Sequence, residues 1–160
     1  MSDDPTPATL LAVDCVGRKL NWAARSARQV LDRHLAARGT TFSGYITLSA
    51  LRWKGPLIQR RLARVLGVEG PTLTRQLDRL EAEGLIARTP AGDDRRAVRV
   101  ELTEAGAVRL EELREPLADA AREVSTGLTV DDLRQLDRIL DLIVDRGGSG
   151  RPGQAEPGES

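Results

Sequence analysis

Aromatic side chains are nearly absent. Phe, Trp and Tyr make up 2% of the 160 residues, so a core must be packed from Leu, Val, Ile and Ala. There is one cysteine, Cys15, which excludes an intramolecular disulfide and suits a reducing cytosol. There is one histidine, His34, without Cys or carboxylate neighbours at ligand spacing, so no metal site is expected. The chain lacks the run of about 18 apolar residues that a transmembrane helix needs. It does not open with a basic-then-apolar signal segment. A cytoplasmic location without a membrane partner is expected. No Gly-rich phosphate loop is present, and His34 has no nucleophile near it in sequence. Neither an enzymatic activity nor a cofactor is expected.

Net charge is absent too. A formal charge of zero gives no overall attraction to a polyanion. The distribution changes that picture. Residues 51–100 carry 11 Lys+Arg against 6 Asp+Glu, and residues 101–160 carry 7 against 14. The middle of the chain is basic. The acidic C-terminal third can oppose nonspecific adhesion.

What the chain does have is a sharply bounded helix followed by a hairpin, between Gly67 and Gly106. Pro71 suits a first helical position, where its missing N–H is unneeded. Leu73, Leu77 and Leu80 recur at i, i+4 and i+7, which makes one buried stripe. Thr72, Arg75 and Arg79 fall on the opposite face, with Thr74 and Gln76 near its edges. Gly84 ends the helix as a C′ glycine. Leu85–Arg88 and Val98–Leu102 read as paired strands, the second with clear alternation. The polar segment Thr89–Arg96 reads as the turn between them and places Arg95 and Arg96 at its tip. A solvated amphipathic helix with an ordinary hairpin is the bland alternative. Two arginines at the tip, offset only by Asp93 and Asp94, favour a groove-binding wing.

The rest is a helical frame. Val13, Val16, Leu20, Ala23, Ala27, Val30, Leu31 and Leu35 follow a helical period from about Pro7 to Ala37. Gly39-Thr40-Thr41 breaks it. A second helix is expected from Phe42 to Lys54, burying Tyr45, Leu48 and Leu51, then a turn at Gly55-Pro56. A short helix covers Ile58 to Leu66. Thr103 can cap a long helix to about Thr126, which Pro116 should kink or divide. Thr129 and Asp132 form a capping pair for a last helix to about Asp145. That helix is apolar on more than one side, which suits a homodimer interface better than a monomer. Gly147–Ser160, rich in Gly, Pro, Ser and Glu, reads as disordered.

The block from Pro71 to Gly106 resembles the DNA-binding core of the MarR family, its SlyA-type branch above all. The recognition-helix pattern is matched by Pro71-Thr72-Leu73-Thr74-Arg75 and its Leu-Glu-x-x-Gly-Leu-Ile end by Leu80 to Ile86. The wing pattern is matched by Asp94-Arg95-Arg96 and by Leu102-Thr103-Glu104-Ala105-Gly106. The likeness continues upstream through Leu57–Val68 and covers roughly residues 10 to 146. It implies a mainly α fold with a small β-hairpin wing: a winged helix-turn-helix with N- and C-terminal dimerisation helices. The expected division is an N-terminal dimerisation helix at 1–40, a DNA-binding lobe at 41–102, C-terminal dimerisation helices at 103–146 and a disordered tail at 147–160.

The implied function is a transcriptional regulator, expected to repress, acting as a homodimer on double-stranded DNA with a pseudo-palindromic operator. Arg75 is the candidate for bidentate readout of a guanine. Thr72, Thr74 and Gln76 are candidates for bases or phosphates, and Arg79 and Arg61 for phosphates. By resemblance, Arg96 enters the minor groove, Asp94 holds it, and Arg95 contacts backbone or groove beside it.

A small aromatic or phenolic effector is implied in a crevice between the dimer helices and the DNA-binding lobe. Arg18, Trp22, Tyr45 and Trp53 are the candidate residues, against the alternative that the aromatics are plain core. Urate-sensing relatives also carry a tryptophan in the first helix, but the acidic partner expected within 55–66 is missing. Cys15 resembles the reactive cysteine of peroxide-sensing relatives in position, with Arg18 and Lys19 one turn on, but it lacks their tyrosines. An inert interface cysteine is the alternative. A winged helix that binds proteins and no longer DNA stands as a further alternative, opposed by Arg75, Arg95 and Arg96.

Overall fold

The computed structural model describes residues 7–91 and 94–146, with side chains described for 15–91 and 97–146. The expected disordered tail lies outside the described residues. Among those described, seven helices surround a small antiparallel sheet. The order is α1 (Pro7–Ala36), α2 (Phe42–Lys54), β1 (Leu57–Ile58), α3 (Gln59–Leu66), α4 (Gly70–Ala82), β2 (Ile86–Ala91), β3 (Asp94–Leu102), α5 (Glu104–Glu112), α6 (Arg114–Val124) and α7 (Val130–Arg146). The mainly helical fold with a β-hairpin wing expected from the sequence is present.

Local chemistry explains the boundaries. Thr41 caps α2 by accepting from the Gly44 N–H. Pro71 sits in the first turn of α4. At the other end of α4, Gly84 has φ +71°, the Gly84 N–H reaches the Glu81 carbonyl at 2.8 Å, and the Leu85 N–H reaches the Leu80 carbonyl at 2.9 Å. That double closure satisfies two otherwise unpaired carbonyls and turns the chain into the sheet. Thr103 caps α5 through the Gly106 N–H. The helix that begins there is divided at Leu113, three residues before Pro116. Proline has no N–H for the Glu112 carbonyl, and its ring crowds that carbonyl. Thr129 and Asp132 cap α7 reciprocally, at 2.9 and 3.2 Å.

The sheet departs from expectation twice. Leu57 and Ile58 form a third strand, β1, paired with Val100 and Arg99, so α3 starts at Gln59 and not at Ile58. Two residues are too short to carry a period, and only the free edge of β3 recruits them. The wing strands also extend into the segment read as a turn, to Ala91 and from Asp94, with a register shift at Pro90/Ala91. Ladder hydrogen bonds do not depend on apolar side chains. Pro90 is accommodated because β2 is an edge strand in the order β1-β3-β2.

The core joins Leu48 and Leu51 of α2, Leu62 of α3, Leu73, Leu77 and Leu80 of α4, and Leu57, Leu85, Ile86 and Val100 around the sheet. No aromatic side chain is among the buried ones described. Tyr45, expected to be buried, is half-buried and stacks on Phe42 with ring centroids 6.1 Å apart. The C-terminal half of α1 lies along α6, with Leu35 fully buried. By contrast, α7 buries nothing, and Val16 and Trp22 on α1 stand exposed. None of the described helices is long and apolar enough to cross a membrane.

Candidate nucleic-acid interface

The leucine stripe of α4 points inward, so its opposite face is forced outward. Thr72 and Arg75 are exposed there, and neither side chain has a hydrogen-bond or ion-pair partner among the described residues. Arg61 on α3 is likewise exposed and unpaired. These two cations and one hydroxyl are available to an external anion.

The remaining candidates of α4 are engaged within the protein. Thr74 Oγ1 accepts from Gln59 Nε2 at 2.8 Å and donates to the Gly70 carbonyl at 3.0 Å. Gln76 Nε2 donates to Thr47 Oγ1 at 2.7 Å and to the Ser43 carbonyl. Arg79 donates to the Gly39 carbonyl at 2.8 Å and pairs with Glu83 at 3.0 Å. These bonds tie the helix to α3, to α2 and to the α1–α2 turn. From the other side of that turn, Arg109 donates to the Arg38 carbonyl at 3.0 Å.

A brace that the sequence reading did not single out links α4 to the wing. Arg88 of β2 reaches Glu81 at 2.5 and 2.9 Å and Asp78 at 2.6 Å. The Glu81 carboxyl is held below its ordinary value, chiefly by its hydrogen bond from Arg88. The Arg88 guanidinium is pushed up by the same bond. In the sequence Arg88 closes the apolar run Leu85-Ile86-Ala87, and this cation so soon after the acids Asp78 and Glu81 was the available signal. Asp94, Arg95 and Arg96 lie on the first residues of β3, beside the hairpin bend. Their side chains lie outside those described.

The effector candidates divide. Tyr45 and Trp53 of α2 line an open cleft of about 500 Å³, together with Ser49, Arg52, Leu110, Glu111, Arg114 and Leu117. Arg18 and Trp22 do not line it. The alternative that the tryptophans are plain core is overturned within this chain: Trp22 is 62% and Trp53 88% exposed. With few buried positions left on α1 and at the end of α2, these large rings find no cover. Cys15 is half-exposed on α1. His34 gains the carboxylate partner it lacks in sequence, Glu123 at 2.8 Å, which Arg33 also contacts. Among the described residues no group of three metal-ligating side chains meets.

The MarR family model matches residues 43–98, from α2 into β3. A MarR variant from E. coli, solved in complex with operator DNA, is similar with a TM-score of 0.76 and 28% identity, over 83% of this chain and 96% of that one. The reduced form of E. coli MarR is similar with a TM-score of 0.70 and 27% identity, over 89% and 99%. BpsR of Bordetella bronchiseptica, whose DNA binding is regulated by 6-hydroxynicotinic acid, shares the fold with a TM-score of 0.76 at 23% identity, over 81% and 98%. The chain has the MarR winged-helix fold, and the family match together with the likeness to a DNA-bound MarR supports a MarR-family DNA-binding transcriptional regulator.

Proposed function

We propose that the protein is a homodimeric repressor that reads a pseudo-palindromic operator, with α4 in the major groove and the wing in the minor groove. The observation that carries this reading is the outward, unpaired Arg75 beside Thr72 at the start of α4, on a helix otherwise fastened by its own side chains. Arg75 is the base reader, Thr72 and Arg61 are backbone or base contacts, and Asp94, Arg95 and Arg96 form the wing contact. Gln76, Thr74 and Arg79 serve by holding the helix at its angle. The wing and Leu-Thr-x-x-Gly patterns favour a SlyA-like branch.

The same reading divides the chain into a DNA-binding lobe at 41–102 and dimerisation helices at 1–40 and 103–146. The support for a dimer is α7. Leu133, Leu136, Leu140 and Ile143 follow the 3-4-3 spacing of one stripe, yet each stands 39–45% exposed. A second copy that packs its own stripe against them would take them out of water. The cleft at Tyr45 and Trp53, with Arg52 and Arg114 at hand, suits a small aromatic acid or phenol that releases the DNA. Such a regulator works in the cytoplasm.

The test is selection of bound duplexes from a random pool with purified protein at moderate salt. The expected result is a pseudo-palindrome with half-sites about one helical turn apart. Binding that selects no motif and fades with salt would favour a winged helix that recognises a protein instead.

A further inference from the structure

A groove of about 840 Å³ lies between α3, the turn at Gly67–Gly70 and β3. Arg60 and Arg64 form one wall, and Ala97 and Val98 of the wing form the other. The two arginines are spaced i, i+4 on α3, so they stand one above the other on the same face. Both are exposed, and neither has a hydrogen-bond or ion-pair partner among the described residues. Arg79 and Arg88, elsewhere on the lobe, and Arg109 on the adjoining α5 are each paired with a carboxylate.

The position of the groove is as informative as its charge. One end is Gly70, the first residue of the recognition helix. The far wall, Ala97 and Val98, leads directly to Arg95 and Arg96 of the wing. A duplex with α4 in its major groove and the wing in the neighbouring minor groove must pass one sugar-phosphate strand between those two elements. The groove borders that passage where Gly70, at the start of α4, faces Ala97 and Val98 of β3, with α3 as its remaining wall. Its wing side is small and apolar, which leaves room for the sugars, and its α3 side carries the cations.

We propose that this groove carries the DNA strand separating the two grooves, with Arg60 and Arg64 as its phosphate contacts. The inference rests on the DNA-reading function proposed above. These contacts set register and affinity without reading sequence. Glu69 also lines the groove, and its carboxylate opposes the phosphates, so removing that charge must act in the opposite direction.

The experiment measures affinity for the selected operator and for an unrelated duplex, across about 50–200 mM salt. The variants are the full chain with Arg60→Gln and Arg64→Gln together, the same pair changed to Lys, and Glu69→Gln. The Gln pair should weaken binding by the same factor on both duplexes and reduce the magnitude of the salt slope by about four, two contacts from each protomer of the dimer. The Lys pair should keep the parent slope, and Glu69→Gln should tighten both complexes. Arg122→Gln, whose guanidinium is held by Asp119 on α6, should change neither.

A Gln pair with the parent slope overturns the proposal, as does a loss confined to the operator, which would make these arginines base readers. Thermal melts of each variant check that the lobe is folded. Failure of the underlying reading is separate: the parent itself would then bind the two duplexes alike.

Discussion

Gln76 of the recognition helix donates to Thr47 Oγ1 of α2 at 2.7 Å, and Thr47 is fully buried. The amide thus fastens α4 to α2 from the flank of the helix beside Arg75. Gln76→Ala should cost about 1–3 kcal/mol in stability, since it strips a partner from buried polar atoms. Base preference in the selected operator should be unchanged. Denaturant titration and a repeat of the selection check both halves, and a changed preference at one position would return Gln76 to the DNA face.

Arg75→Ala should leave the melting temperature near that of the parent, because the side chain is exposed and unpaired. Operator affinity should fall by about 1–3 kcal/mol, with relaxed preference at one base position per half-site. If the loss is equal on every sequence, Arg75 is a phosphate contact.

Leu136→Asp with Leu140→Asp should turn a dimer into monomers. A leucine moved from water into an interface is worth about 1.5–3 kcal/mol, and two-fold symmetry counts each one twice. Both residues are already partly exposed in the single chain, so the lobe itself should stay folded. Sedimentation velocity reads the outcome directly, and a variant that still sediments as a dimer would move the interface off α7.

Gly106→Ala should be strongly destabilising. A Cβ there would meet the Leu85 carbonyl oxygen at 2.1 Å and Leu102 Cδ1 at 2.6 Å. The first turn of α5 lies directly on the start of the wing, and backbone cannot yield cheaply. A loss of about 1–3 kcal/mol or more is expected. Gly17→Ala, in open space on α1, should be stabilising by roughly 0.5–1 kcal/mol through helix propensity. Paired thermal melts decide.

Acid should weaken the α1–α6 contact. The Glu123 carboxyl is held below its ordinary 4.5, first by the hydrogen bond with His34 and then by that with Arg33. A depressed carboxyl contributes stability that is present above its unfolded value. That contribution is lost as pH falls through the lower folded value. Melting temperature followed from pH 6 downward should therefore drop less steeply in Glu123→Gln than in the parent. Parallel curves would mean that the pair contributes nothing to folding.

Much of the fold was legible because its determinants are local. Pro71, the Leu73-Leu77-Leu80 stripe, Gly84, the Thr103 cap, the break before Pro116 and the Thr129–Asp132 box all act within one or two turns of chain. Their spacing is written in the sequence. The scarcity of aromatics likewise dictated an aliphatic core. The outward face of α4 followed from its inward one, which made Arg75 and Thr72 readable as candidates.

Other features depended on residues distant in sequence. β1 exists only because β3 offers an unpaired edge to Leu57 and Ile58. Gln76 and Arg79 share a helical surface with Arg75, yet Ser43, Thr47 and Gly39 take them up, and no helical period records those partners. Trp53 is large and apolar enough for a core, yet it stands in solvent because none of the described elements covers the end of α2. The groove at Arg60 and Arg64 has walls from α3 and β3, more than thirty residues apart. Short-range hydrogen bonding and periodicity fix elements and their ends. Which side chains are spent inside the protein, and which remain for a partner, is decided only when those elements pack.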